Sequence, residues 1–271
     1  MFNSKTSRDL FFGLSAILLL VSCGGGSGSS SGGETSTETE TETETGSTEV
    51  AVLDLTFDYF GVNVTSYVDG SEIVVEATGF PDHASPYWDP TGSSGLYVAP
   101  TVTTTDRLVP GFIDNYRGDG YTLRVSGTPQ KASTSTATGL GPIGIAVSGA
   151  PLYNDEEGAG RAIDDAIGGL DFNGAHTGPS SYHYHLEPKS FTDDDDALVG
   201  VIADGFFIYG RKCYSTGTYP TDLDASGGHT AITQYSESEE EYHYHIGNDA
   251  YLSLYYIIFP GDYQGTASAI N

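Results

Sequence analysis

One unit of sequence occurs twice in this chain, and it constrains the fold more than any other feature. In the first copy Gly149-Ala-Pro-Leu-Tyr153-Asn leads to Asp171-Phe-Asn-Gly-Ala-His176 and then to Tyr182-His183-Tyr184-His185. In the second, Asp204-Gly-Phe-Phe-Ile-Tyr209-Gly leads to Asp224-Ala-Ser-Gly-Gly-His229 and then to Tyr242-His243-Tyr244-His245. Each copy holds an apolar strand ending in Tyr, an Asp-x-x-Gly-x-His element and a Tyr-His-Tyr-His strand. Two copies are too few for a solenoid, so they predict two halves sharing one core, with a pseudo-twofold relation between their histidine strands. The repeat runs over about 143–187 and 199–247.

The rest of the chain after residue 49 agrees with a β fold. Short runs of Val, Ile, Tyr, Phe and Thr are broken about every eight to twelve residues by Gly, Pro, Asn or Asp. Ser71–Thr78 and Tyr121–Ser126 alternate as half-buried strands, while Ile143–Val147, Leu198–Ala203, Phe206–Tyr209 and Leu252–Phe259 read as buried strands. Only Gly158–Leu170 has the spacing of a short helix. The expected fold class is therefore mainly β, a sandwich-like or barrel-like domain over 50–271 with two pseudo-repeated halves and long loops.

Six of the seven histidines fall inside the repeat. On a strand, alternate side chains face opposite ways, so His183 and His185 share one face and Tyr182 and Tyr184 the other. A His-x-His pair with a third imidazole from a nearby loop suits Zn or Cu. His176 completes the set in the first copy, and His229 joins His243 and His245 in the second. Whether the six form two sites or one joint site is open at this stage. Asp171 and Asp224 are expected to accept the remaining ring N–H groups or to enter the ligand set, and the tyrosines to pack on the core side with hydroxyls outward. Nearby acids, including Glu239–Glu241 and Asp193–Asp196, are expected to sit on solvated loops and to raise the histidine pKa values.

These motifs resemble the YHYH domain family. The resemblance covers about 70–260 and includes Gly79-Phe-Pro-Asp-His83 and Leu140-Gly-Pro-Ile-Gly-Ile-Ala-Val147 as well as the repeat. It implies an exported bacterial protein and adds His83 as a site residue, but it brings no activity with it. Members carry cysteine just before Gly-x-His; here Asn173 and Ser226 stand at those positions, so no disulfide carries over.

Residues 1–22 show Lys5 and Arg8 before an apolar run from Phe11, the order of a secretory signal. Leu20-Val21-Ser22-Cys23 resembles a bacterial lipobox, which predicts a lipid on Cys23 and attachment to the bilayer by that lipid alone, at the outer membrane if there are two. The Gly/Ser and Thr/Glu stretch up to residue 49 cannot bury a core and reads as a tether of roughly 25–30 Å. No later segment has the length to span a bilayer. Cys213 then has no intramolecular partner, and is expected as a buried small hydrophobe ahead of a metal ligand or a reactive thiol. A formal charge of −27 excludes attraction to nucleic acid. Gly139-Leu-Gly-Pro-Ile-Gly144 precedes a strand where a dinucleotide site needs a helix, and neither a Gly-x-Ser-x-Gly elbow nor a His-Glu-x-x-His helix occurs. The functional expectation is a metalloenzyme or a metal-binding protein, the alternative being a glycan- or protein-binding module using tyrosines and Trp88.

Overall fold

The computed structural model describes residues 56–100, 111–115, 119–178, 181–236 and 238–271. The expected signal (1–22), Cys23 and the tether lie outside these residues. A meander of β1 (Val64–Asp69), β2 (Glu72–Ala77) and β3 (Tyr121–Ser126) forms one layer, all antiparallel. Alternation buries one side of it: Ile73, Val75, Ala77, Leu123 and Val125 join a single core with Ile145, Val201 and Phe207 of the second layer. A short β4 (Thr136–Ala137) pairs with the last strand, β15 (Asp262–Tyr263).

The second layer is an eight-stranded sheet that curls as a half-barrel. The first half supplies β5 (Gly144–Ala146), β6 (Pro151–Leu152), β9 (Ala175–Thr177) and β10 (Tyr182–Tyr184). Between them a small hairpin of β7 (Glu156–Gly158) and β8 (Arg161–Ala162) stands apart. The second half supplies β11 (Leu198–Ile202), β12 (Phe207–Tyr209), β13 (Gly228–Ala231) and β14 (Glu241–His245). The spatial order, β13-β14-β12-β11-β5-β6-β10-β9, is its own mirror when each strand is exchanged for its counterpart in the other copy. Matching pairs also match in direction: β10 runs parallel to β6 as β14 does to β12, and β9/β10 and β13/β14 are antiparallel.

The pseudo-twofold passes between β5 and β11, which are antiparallel with Ile145 opposite Val201. Equivalent glycines flank it. A Cβ on Gly200 would stand 2.3 Å from the Ile145 carbonyl oxygen, and one on Gly144 would stand 2.6 Å from that of Val201. Both obstacles are backbone and cannot turn aside. Gly200→Ala is therefore expected to cost about 2–3 kcal/mol, read from the urea midpoint. An unchanged midpoint would show that the two halves can separate slightly without loss.

Two expected elements differ. Gly158–Leu170 is no α-helix: part of it is the β7–β8 hairpin, followed by two 3₁₀ turns, Ile163–Asp165 and Ile167–Gly169. Its apolar spacing instead seats Ile163 and Leu170 against Leu186 in a small separate cluster. Leu252–Phe259 is no strand. Leu252 and Ser253 adopt left-handed backbone (φ 49° and 64°) in a turn closed by Tyr251 and Tyr255, while Ile258 and Phe259 are buried in the main core and Tyr256 packs against it. Among the described residues, no helix is long and apolar enough to cross a membrane.

Candidate metal centres

Strand pairing assembles the histidines. In the β9/β10 hairpin His176 lies directly opposite His183, and in β13/β14 His229 lies directly opposite His243. Directly paired residues point to the same side, and so do residues two apart. His185 and His245 thus complete two triads. They form two centres, not one: His176, His183 and His185 converge with Glu157, and His229, His243 and His245 converge with Cys213. Within each group the potential ligand atoms all lie within 4.8 Å of one another. Four strands separate β10 from β14, or about 24 Å along the sheet at ordinary strand spacing.

The Asp-x-x-Gly-x-His element is a tight turn ahead of each triad. The Asp171 carboxylate accepts from the N–H groups of Asn173 (2.8 Å) and Ala175 (3.4 Å), and Asp224 does the same for Ser226 (3.0 Å) and Gly228 (3.1 Å). Gly174 and Gly227 sit in the left-handed region, at φ 63° and 81°. The Asp holds the turn, the Gly permits it, and the His emerges from it onto the strand.

Fixed acceptors set the ring tautomers. His183 Nδ1–H donates to the Ser181 carbonyl (3.1 Å) and His185 Nδ1–H to that of Asn154 (2.7 Å). Their counterparts repeat the scheme, His243 Nδ1–H to Glu241 (3.0 Å) and His245 Nδ1–H to Gly210 (2.7 Å). His229 Nδ1 meets the Asp222 carboxylate at 2.9 Å. A carbonyl can only accept, so Nδ1 carries the proton and Nε2 presents its lone pair inward. In the second centre these Nε2 atoms crowd together, 3.1 Å between His243 and His245 and 3.2 Å between His245 and His229. In the first, the Nε2 atoms of His176 and His185 are buried without a hydrogen-bond partner; Glu157 Oε2 lies 3.3 and 3.5 Å away, outside hydrogen-bond alignment.

Burial decides the charge state. It pushes His243 down to about 3 and His245 to about 4, and pushes His183 and His185 below the ordinary imidazole range. Neighbouring imidazoles add to the depression. The expected rise from nearby acids is thus overturned, because desolvation exceeds those contacts. Burial also pushes the Glu157 carboxyl upward, but His176, His185 and Arg161 outweigh it and hold it below the usual range.

Glu157 was not among the expected ligands, and Cys213 was expected as one only after packing. The signal that points to Glu157 is its position, four residues after Tyr153 as Cys213 is four after Tyr209. Cys213, 1 % exposed, was expected first as packing; the fold sets it beside three imidazoles. The partner of the His229 ring is Asp222, two residues before the expected Asp224.

The opposite face corrects several expectations. The tyrosine hydroxyls do not point outward. Tyr182 donates to Asp171 (2.7 Å), Tyr242 to Asp224 (2.9 Å) and Tyr244 to Asp204 (2.6 Å), while Tyr184 meets Ser148 at 2.7 Å. Asp171 and Asp224 therefore serve tyrosines and turns, not the ligand rings. His83 lies on this face, its Nε2 2.6 Å from the Tyr184 hydroxyl, and belongs to neither centre. Trp88 is 6 % exposed with its indole N–H on the His83 carbonyl, so it offers no contact surface. Asp193 and Asp194 pair with Lys189, Arg211 and Lys212 instead of facing a centre.

No curated protein and no solved structure matches this chain. Residues 122–236 match the family described as YHYH protein. That span runs from β3 through the first centre to Cys213 and His229, and stops short of β14; His83 lies before it. The YHYH match thus takes in the whole of the first buried histidine group, while the second, which takes His243 and His245 from beyond the match, could hold a metal ion as well.

Proposed function

We propose that this protein is an envelope lipoprotein that binds two transition-metal ions, one in each half of its domain. The observation that carries this is the set of inward Nε2 lone pairs whose Nδ1 positions are locked by backbone acceptors. Two neutral rings whose lone pairs meet at 3.1 Å repel unless a cation lies between them, and burial disfavours a proton there. Donors around a zinc ion stand about 3.3–3.8 Å apart, close to these separations. The donor sets, three imidazoles with a carboxylate or a thiol, suit Zn or Cu. The carbonyls behind the rings supply the outer support such sites need. Export and lipid attachment rest on the Lys5/Arg8 leader and on Cys23, and the tether would hold the domain off the bilayer. The burial of Trp88 weighs against a surface-binding module.

Elemental analysis of tag-free protein, prepared without chelator and then soaked in Zn, is expected to find two metal ions per chain. Less than about a tenth of an ion per chain would reject metal binding.

A further inference from the structure

The two centres share a backbone plan and differ in one donor, and the setting of that donor differs more than its chemistry. Cys213 is sealed. It begins a turn in which its N–H donates to the Thr218 carbonyl (2.9 Å), its carbonyl accepts from Gly217 (2.8 Å), and Sγ lies 3.2 Å from the Ser215 hydroxyl. Glu157 is set differently, at the partly exposed edge of its centre. It is the unpaired residue of a bulge, because β7 and β8 pair Glu156 with Ala162 and Gly158 with Arg161 and skip the residue between. Bulges re-aim side chains, and this one turns Glu157 toward the histidines from a two-stranded hairpin outside the main sheet. Its side chain is 23 % exposed, against 5 % and 1 % for His176 and His185. Solvent therefore reaches the first centre along the carboxylate.

We propose that the two halves have divided their labour. The Cys213 centre holds its ion without exchange and staples the second half of the sheet, while the Glu157 centre is the exchangeable one. There the carboxylate swings aside and a water molecule or small oxyanion takes its place on the ion. This rests on the metal binding proposed above and adds which centre meets a ligand. A thiolate among three imidazoles is a closed, soft set favouring Zn or Cu(I). A single, partly exposed carboxylate on a bulged hairpin outside the main sheet is a displaceable donor, and its departure leaves three imidazoles and one open position, the arrangement of catalytic sites.

Cobalt(II) tests this in the full chain carrying Cys23→Ser, which leaves Cys213 as the single thiol. Only the Cys213 centre can give a thiolate-to-cobalt charge-transfer band. A brief EDTA treatment of the two-cobalt protein is expected to remove one ion at least about tenfold faster than the other, with the charge-transfer band undiminished. Added acetate or azide is expected to perturb the d–d bands of the fast ion alone. Glu157→Gln should speed loss of the fast ion and leave the band intact, and Cys213→Ser should abolish the band and make the second ion fast. Equal release rates, or a band that disappears with the first ion, would overturn the division while leaving two bound ions. Failure to bind any cobalt or zinc would instead reject metal binding itself. Should Cys213→Ser not fold, the release rates of the parent and of Glu157→Gln decide the matter.

Discussion

Changing His183 and His185 together to alanine is expected to lower the metal content of the zinc-soaked protein from two ions to one, and changing His243 and His245 together is expected to do the same. Changing all four should leave none. Each pair removes two of four donors from one centre and touches none in the other. Binding to a four-ligand zinc site is worth roughly 10–16 kcal/mol, so losing half the donors should weaken it by at least about 10⁴-fold. About 24 Å of sheet between the centres leaves no route for one pair to empty both, provided the fold survives. Elemental analysis after gel filtration reads the result. Loss of both ions from either pair would mean the halves cooperate in binding, and no loss would mean these rings are not ligands.

The second large effect lies on the other face. Asp171→Ala should destabilise the protein by about 4 kcal/mol or more, measured by urea denaturation, whereas Asp224→Ala should cost only about 1–2 kcal/mol. The two residues are equivalent in sequence and differ in surroundings. Asp171 is buried and accepts from the hydroxyls of Tyr182 (2.7 Å) and Ser85 (2.5 Å) as well as from two backbone N–H groups. Alanine leaves those donors stranded in the core, each costing about 1–3 kcal/mol less what relaxation recovers. Asp224 is partly exposed and pairs with Lys131, so water replaces much of what it loses. Asp171→Asn, which keeps one acceptor oxygen and meets hydroxyls that can rotate, should fall between. Equal costs at the two positions would show that burial does not govern this network.

Much of this was legible before any coordinates. The period of two in Tyr-His-Tyr-His assigns histidines to one face and tyrosines to the other; His176 and His229, expected from loops, instead stand on strands paired opposite His183 and His243. The repeat offset forecasts the twofold, and the Gly144/Gly200 approach shows how tightly the halves meet. The Leu252–Phe259 run misled because apolar content alone does not distinguish a strand from a loop that drops two side chains into the core. Asp171 misled because a carboxylate five residues before a histidine has two possible partners, and the turn it caps faces it toward tyrosine.

Strands, faces and the pairing of two halves follow from local chain geometry, since alternation repeats every two residues whatever lies around it. The fourth donor of each centre does not. Glu157 arrives from a bulged hairpin and Cys213 from a turn after β12; each stands four residues after the tyrosine that ends its apolar strand, Tyr153 or Tyr209, so the positions are equivalent while the residue types and local structures differ. Only the packed chain brings them to the histidines, because a glutamate and a cysteine at one repeat position show no common role until the strands are folded together. The same packing removes water from the His243 and His245 rings, which keeps them neutral with their lone pairs turned inward.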